Sequence, residues 1–439
     1  MRIRFWGTRG SVPRPGPTTL RYGGNTSCVE VRAADGTLVV LDCGTGAFAL
    51  GRELIASRDP QHGGHLLIGH THWDHIQGFP FFEPLFVPDS RWEIYSAGGG
   101  ERELAEVLAG QMTYEYSPIT LEALGAQVKI HNLREGIFDI GGIRVTTRYL
   151  NHPALTLGFR LEVDGACLVY AADHEPHSLH PLDASPGTAP VHHEDRRHIR
   201  FLAGADLVIH DAQYLLDEFP AKAGWGHSPI ERVVDYCLLA GARRLALTHH
   251  DPARDDEAVD RVCELARARV PADSGLEVFG AMEGQALELS GDAPRERAPV
   301  TEATSALLRS GRPRHTVLIV DDDPDMVALL ETTLQREGVR VLTAGDGESA
   351  LQVARAEHPS LVLLDRNLPG SDGLDICRTL RAETDPRVGD VPILMLTGKK
   401  LKETDMIEAF VAGATDYLTK PIKPTLVRSR VRGWLMRTV

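Results

Sequence analysis

The rhythm of apolar residues changes near residue 300, and that change limits the folds open to this chain more than any other feature. Upstream, strand-like runs at 2–6, 27–32, 37–42, 65–69, 143–149, 157–163 and 166–171 close on Gly or Asp-Gly turns, as in "AADGTL" and "EVDGAC". Two helical patterns follow, at 228–240 and 255–268. The first opens with Ser228 as N-cap, Pro229 at the first helical position and Glu231 in the first turn. Downstream, strands at 316–320, 340–343, 361–364, 392–396 and 415–418 alternate with helices at 323–336, 346–356, 372–383, 401–412 and 424–436. Five βα units of this length require a parallel sheet with helices on both faces. Between the two regimes, 291–314 ("GDAPRERAPVTEATSALLRSGRPR") is rich in Pro, Arg, Ala and Ser and reads as a linker, with a short helix allowed around Thr304–Leu308. The chain is therefore expected to be an α/β protein with domains at 1–290 and 315–439. A second loose stretch, 176–195, reads as a long surface loop inside the first domain.

The bulk numbers narrow the function. At 439 residues the chain is too long for one ordinary domain, and 42% hydrophobic residues suffice for full cores. A formal net charge of -14 argues against a general nucleic-acid binder. Six scattered cysteines without a CxxC pair fit a reduced, cytoplasmic protein. The N-terminus lacks the apolar core of a signal peptide, and no run approaches the roughly 20 apolar residues of a membrane span.

The stretch "GHTHWDHIQG" packs His70, His72, Asp74 and His75 into six positions, just after the apolar run "HLLIGH". Open sheets gather their sites outside the carboxyl ends of strands. Histidines at i and i+2 can converge on one ion while Asp74 and His75 face a second, and this donor set suits zinc, iron or manganese. Asp42, in "LDCGTG", either orients a ligand imidazole or simply turns the chain after a strand. His174, His177, His180, His192, His193 and His198 are read as a solvated loop, with a lid or an additional metal site as alternatives.

The "HTHWDH" motif resembles the H-x-H-x-D-H signature of the metallo-β-lactamase superfamily, and the likeness extends over roughly residues 1 to 290. The resemblance implies an αββα sandwich and further ligand stations. These are His152 in "LNHPALTLGFR", Asp173 in "VYAADHE" and His249 in "LALTHHDP", with His250 the alternative to His249. The implied set is His70, His72 and His152 for one metal and Asp74, His75 and His249 for the other, with Asp173 bridging. Two zinc ions (or manganese or iron) would lower the pKa of a shared water and steady charge on a phosphoryl or carbonyl oxygen.

Asp211 in "ADLVIHDAQY" and His227 in "GWGHSPIERVVDY" resemble the acidic residue and the H-S/T histidine of the ribonuclease Z-like branch. There the histidine protonates or stabilises the leaving oxygen. The plain alternative is that His227 caps a helix and Asp211 ends a strand. The openings "FWGTRGSVPRPG" and "RYGGNTSCVEV" also resemble this branch, with Asn25, Thr26 and Ser27 read as turn builders rather than phosphate ligands. The closest likeness is to ribonuclease Z and to cyclic-phosphate and cyclic-nucleotide phosphodiesterases. The basic Gly-rich arm that grips tRNA is not evident, so a small or cyclic phosphodiester is expected. Asp74, Asp211 and His227 are the residues expected to carry catalysis.

From about 315 to 437 the chain resembles the (βα)5, flavodoxin-like receiver domain of two-component response regulators. Asp321 and Asp322 end "VLIVDDDPD", Asp365 ends "LVLLD", Thr397 ends "ILMLT" and Lys420 precedes Pro421. The resemblance implies a magnesium site at Asp321, Asp322, Asp365 and the Asn367 carbonyl, with Asp365 as phosphoacceptor. Thr397 and Lys420 would bind phosphoryl oxygens, and Tyr417 matches the aromatic switch position. Arg366 departs from the usual apolar residue. No DNA-binding module is expected after this domain.

The two resemblances together imply a response regulator whose output is a dinuclear metal-dependent phosphodiesterase, controlled by phosphorylation of Asp365. Its partner would be a sensor histidine kinase or phosphotransfer protein, and a homodimer is allowed. The alternatives are a superfamily hydrolase for a thioester or lactone, and a non-catalytic metal-containing signalling adaptor.

Overall fold

The computed structural model describes residues 1–57, 63–98, 103–177, 192–290, 315–335, 339–398 and 408–435. These fall into two compact units. One holds 1–176 and 197–290, and the other holds 315–435 with residues 177 and 192–196.

The first unit is built on two seven-stranded sheets. Strands β1 (Arg2–Gly7), β2 (Cys28–Arg32), β3 (Leu38–Leu41), β4 (Gly63–Leu67), β5 (Arg91–Ala97) and β6 (Gln127–Leu133) form one sheet with β14 (Ala286–Glu288), in the order β14-β1-β2-β3-β4-β5-β6. Strands β7 (Gly136–Ile140), β8 (Ile143–Leu150), β9 (Thr156–Val163), β10 (Ala166–Ala171), β11 (Leu207–Asp211), β12 (Arg244–Thr248) and β13 (Glu277–Gly280) form the other, in the order β13-β12-β11-β10-β9-β8-β7. In each sheet hairpin pairing gives way to parallel pairing, at β3–β4 in the first and at β10–β11 in the second. Beyond those points the parallel strands all end at the same edge, which collects the loops that follow them.

Helices cover the sheets. Leu50 and Leu54 of helix Ala47–Ala56 pack with Val40, Leu66 and Ile94 of the first sheet. Val233, Val234 and Cys237 of helix Ile230–Ala240, with Val259 and Val262 of helix Asp256–Ala268, pack on Val169, Val208 and Leu245 of the second. Strands β3 and β10 are buried at every position, as strands covered on both faces must be. This is an αββα sandwich.

Two expectations need correction. Helix Ile230–Ala240 starts after Pro229, with no side-chain cap. Ser228 is taken up elsewhere: its hydroxyl donates to the His174 carbonyl and its amide to Asp211. Nor are the histidines in and around 176–195 all solvated: His174, His192 and His198 are buried, and residues 193–195 begin helix His193–Leu202. His180, the His193 side chain, the linker 291–314 and most of the helix expected at 401–412 lie outside the described residues. Among the described residues no helix is long and apolar enough to cross a membrane.

The second unit is a five-stranded parallel sheet. Its strands are β15 (Thr316–Val320), β16 (Arg340–Ala344), β17 (Leu361–Asp365), β20 (Ile393–Thr397) and β21 (Asp416–Thr419), in the order β16-β15-β17-β20-β21; β18 (Asn367–Leu368) and β19 (Ser371–Asp372) form a small separate hairpin. The period of two along β15 is plain. Leu318 and Val320 enter one apolar core, Val317 and Ile319 the other, so helices are needed on both faces.

Candidate metal centre and phosphoacceptor crevice

Every ligand-type residue singled out in the first unit sits just beyond a strand. Asp42 follows β3, and His70 and His72 follow β4. Asp74 and His75 ride on the short helix Trp73–Ile76. His152, Asp173 and His249 follow β8, β10 and β12. Asp42, Asp173 and His249 have φ of 59°, 63° and 58°, the left-handed region that side chains other than glycine rarely occupy. Each such residue costs about 1–3 kcal/mol, so three in one site are a conformation that the surrounding structure imposes.

The side chains converge on two adjoining groups. In one, ligand atoms of His70, His72, His152 and Asp173 lie within 4.8 Å of one another; in the other, those of Asp74, His75 and His249 do. Asp173 reaches both. Its Oδ2 lies 3.4 Å from His70 Nε2, 3.4 Å from His75 Nε2 and 3.7 Å from His152 Nε2, while Oδ1 lies 3.1 Å from His249 Nε2. Asp74 Oδ2 is 3.0 Å from His249 Nε2. His250, the alternative to His249, turns away to the Ala281 carbonyl. Among the clustered ligand residues His72 is the exposed one, so the cluster opens to solvent on its side.

A surrounding layer fixes these rings. The Asp42 carboxylate takes His75 Nδ1 at 2.7 Å, the Tyr170 hydroxyl at 2.5 Å and the Gly69 amide at 2.7 Å. The Ser11 amide donates to Asp74. His152 Nδ1 meets the Gly226 carbonyl at 3.0 Å. Gly226 has φ of +89°, and a β-carbon there would lie 2.0 Å from that same nitrogen, so only glycine fits. Glu175 holds this turn by accepting from the amides of Gly224 and Gly226. Tyr170, Glu175 and Ser11 escaped the sequence reading because each acts through hydrogen bonds to residues far away in sequence, which leave no local pattern. The Gly-x-Gly of "GWGHS" was a visible signal for the turn. Asn25 and Thr26 bind the chain itself, through Glu283 and Thr45.

Burial pushes the His70 imidazole well below its ordinary pKa and His152 down to about 3, so both are neutral, the form that binds a metal. His75 moves the other way. Burial works against it, but Asp74, Asp42 and Asp173 carry it well above the ordinary value. Against the same burial penalty, the histidines hold the Asp74 and Asp173 carboxyls below the usual range. Both ring nitrogens of His70, His75 Nε2 and Asp173 Oδ1 are buried without a hydrogen-bond partner among the described residues. Buried polar atoms are normally paired. A nitrogen- and carboxylate-rich pocket left in this condition fits divalent zinc, iron or manganese.

Beside the cluster, Asp211 is fully buried and accepts from His227 Nδ1 at 3.1 Å, the Ser228 amide at 3.1 Å and the His174 amide at 3.3 Å. Burial opposes its ionisation, yet hydrogen bonds from His210 and His227 bring its pKa down to about 2. His227 in turn stacks on His249, ring centroids 4.8 Å apart.

In the second unit, Asp321, Asp322 and Asp365 offer oxygens within 4.8 Å of one another. Lys420 Nζ bridges Asp321 and Asp365, at 2.9 Å from each. Burial raises the Asp365 pKa, opposed by Lys420. The Thr397 hydroxyl is buried without a hydrogen-bond partner among the described residues. Asn367 lies in β18, its amide donating to Asp365. Tyr417 packs against the apolar core at 5.9 Å from Phe410. The Arg366 guanidinium pairs with Glu408 at 3.1 Å.

Residues 37–250 match the beta-lactamase superfamily domain and residues 317–432 match the response regulator receiver domain. The chain thus joins a stretch that matches the beta-lactamase superfamily domain to a response regulator receiver domain. The DNA-binding response regulator MtrA of Mycolicibacterium smegmatis is 44% identical over 124 residues, 28% of this chain and 52% of that protein. The chain thus spans about half the length of the curated relatives it matches. Among solved structures, the metallo-beta-lactamase fold protein YhfI of Bacillus subtilis is 19% identical over 65% of this chain and 98% of its own, with a TM-score of 0.48. Human tRNase Z, short form, is 20% identical over 66% of this chain and 99% of its own, with a TM-score of 0.44. A receiver domain implies a phosphodonor such as a histidine kinase.

Proposed function

We propose that residues 1–290 form a dinuclear metal-dependent phosphodiesterase for a small or cyclic phosphodiester, and that phosphorylation of Asp365 in a receiver at 315–439 controls it. The observation that carries this reading is the Asp211–His227 pair set against the histidine and aspartate cluster. His70, His72 and His152 would hold one ion and Asp74, His75 and His249 the other, with Asp173 shared. Two such ions lower the pKa of a shared water and steady charge on a phosphoryl oxygen.

The chain's own residues do the rest. Asp42 engages His75 through Nδ1 and so leaves Nε2 for the ligand role. Asp211 engages His227 through Nδ1, which leaves Nε2 to give a proton to the departing oxygen. An alkoxide needs that proton. A thiolate, with an ordinary pKa of about 8.5, leaves without one, so the pair suits a phosphodiester better than a thioester.

In the receiver, Asp321, Asp322, Asp365 and the Asn367 carbonyl would hold magnesium. An Asp365 oxygen would take the phosphoryl group from a phosphohistidine of a sensor kinase or phosphotransfer protein, with Thr397 and Lys420 binding its oxygens. Tyr417 would report the switch. Six buried free cysteines suit a reducing cytoplasm.

A panel of linear and cyclic phosphodiesters, assayed with Zn²⁺ or Mn²⁺, tests the assignment. His227→Ala is expected to cut phosphodiester turnover about 10²–10⁴-fold with metal content unchanged. A fully metallated protein that binds nucleotide and never cleaves it would make the domain an adaptor instead. A thioester or lactone turned over equally well by both proteins would favour the other hydrolases.

A further inference from the structure

His177, His192 and Asp195 form a second concentration of metal-ligating side chains that shares no residue with the centre above. Their ligand atoms lie within 4.8 Å of one another. All three side chains are buried: His192 is 3% exposed, Asp195 0%, and the His177 side chain 5%. His177 Nδ1 lies 3.3 Å from Asp195 Oδ1. The two imidazoles lie parallel, with centroids 4.8 Å apart and planes 6° from one another. The main chain helps to aim the carboxylate, because the His177 amide donates to the same Oδ1 at 2.9 Å.

We propose that His177, His192 and Asp195 hold a third transition-metal ion of the zinc type, which fastens residue 177 to the start of helix His193–Leu202. In a tetrahedral site with bonds of about 2.0–2.1 Å, neighbouring donors stand about 3.3 Å apart. The His177–Asp195 spacing has that value already, and the His192 ring, parallel to that of His177, has to rotate about its side-chain torsions to face the same ion. Two imidazoles and a carboxylate form a borderline donor set that selects zinc-class ions over magnesium or calcium, which prefer oxygen. Three protein ligands leave one position for solvent.

The full-length chain, kept in excess Mg²⁺ to fill the receiver, is titrated with Zn²⁺ against a competing chelator. Bound metal is counted by elemental analysis, and Co²⁺ substitution gives a visible d–d band. The test uses a His70→Ala/His75→Ala/Asp173→Ala background, which leaves fewer than three ligands at either position of the first centre, so the result does not depend on the hydrolase reading. One tight equivalent is expected to remain there. Adding His192→Gln is expected to abolish it, and adding Asp195→Asn, which keeps the carboxylate's shape, to weaken it at least tenfold. Retention of that equivalent in either folded variant, or its absence from the background protein, overturns the proposal. If His192→Gln does not fold, Asp195→Asn decides the matter alone.

Discussion

Asp42, Asp173 and His249 show where this chain spends conformational energy. All three adopt left-handed backbone at strand ends, and all three belong to one cluster. The clustering of His70, His72, Asp74 and His75 was legible because they lie together in sequence. Asp173 and His249 were singled out only through the family resemblance, and Tyr170 and Glu175 not at all. Gly226→Ala is expected to dislodge His152 and to cut both metal content and turnover at least tenfold, measured by elemental analysis and phosphodiester assay. Asp211 carries a pH signature. Its folded pKa is about 2 against an ordinary 3.8, so its stabilisation is fully present above pH 3.8 and fades as the pH falls through 2. The margin of wild type over Asp211→Asn in denaturant melts is expected to be about 2 kcal/mol at neutral pH and to vanish near pH 2. A margin that held constant across that range would refute the assignment.

Elements differ in how openly they announce themselves. Helix Asp256–Ala268 was legible to within a residue because Asp255 caps it by accepting from the Ala258 amide. Helix Ile230–Ala240 was placed too early, since Ser228 has the residue type of a cap but serves Asp211 and His174. Strand β6 was missed because its alternation is shallow, with Lys129 and Asn132 among half-buried neighbours. The central receiver strands β15, β17 and β20 read clearly, as runs buried on both faces do. Asp255→Ala is expected to lower stability by about 1 kcal/mol and to leave turnover unchanged, as a shift of the urea midpoint at constant slope.

At the scale of the molecule, the change in rhythm divides the chain near residue 300, while residues 177 and 192–196 group with the second unit. Two independently built cores predict two separable responses. A chelator is expected to lower the melting transition of the first unit, by about 4 kcal/mol per site when the metal had stood a thousandfold above its Kd. The transition of the second unit should stay where it was when magnesium is present. Beryllofluoride, a mimic of phosphorylated Asp365, is expected to change turnover of the full chain and to lose that effect in Asp365→Asn. Equal rates with and without it would remove the receiver from control of the hydrolase. The cysteines offer a way to watch each unit separately. All six thiols are buried, with Cys377 alone in the second unit and the other five in the first. Alkylation of any one therefore has to wait for its own unit to breathe open, and the chain carries built-in clocks for the unlatching of each half.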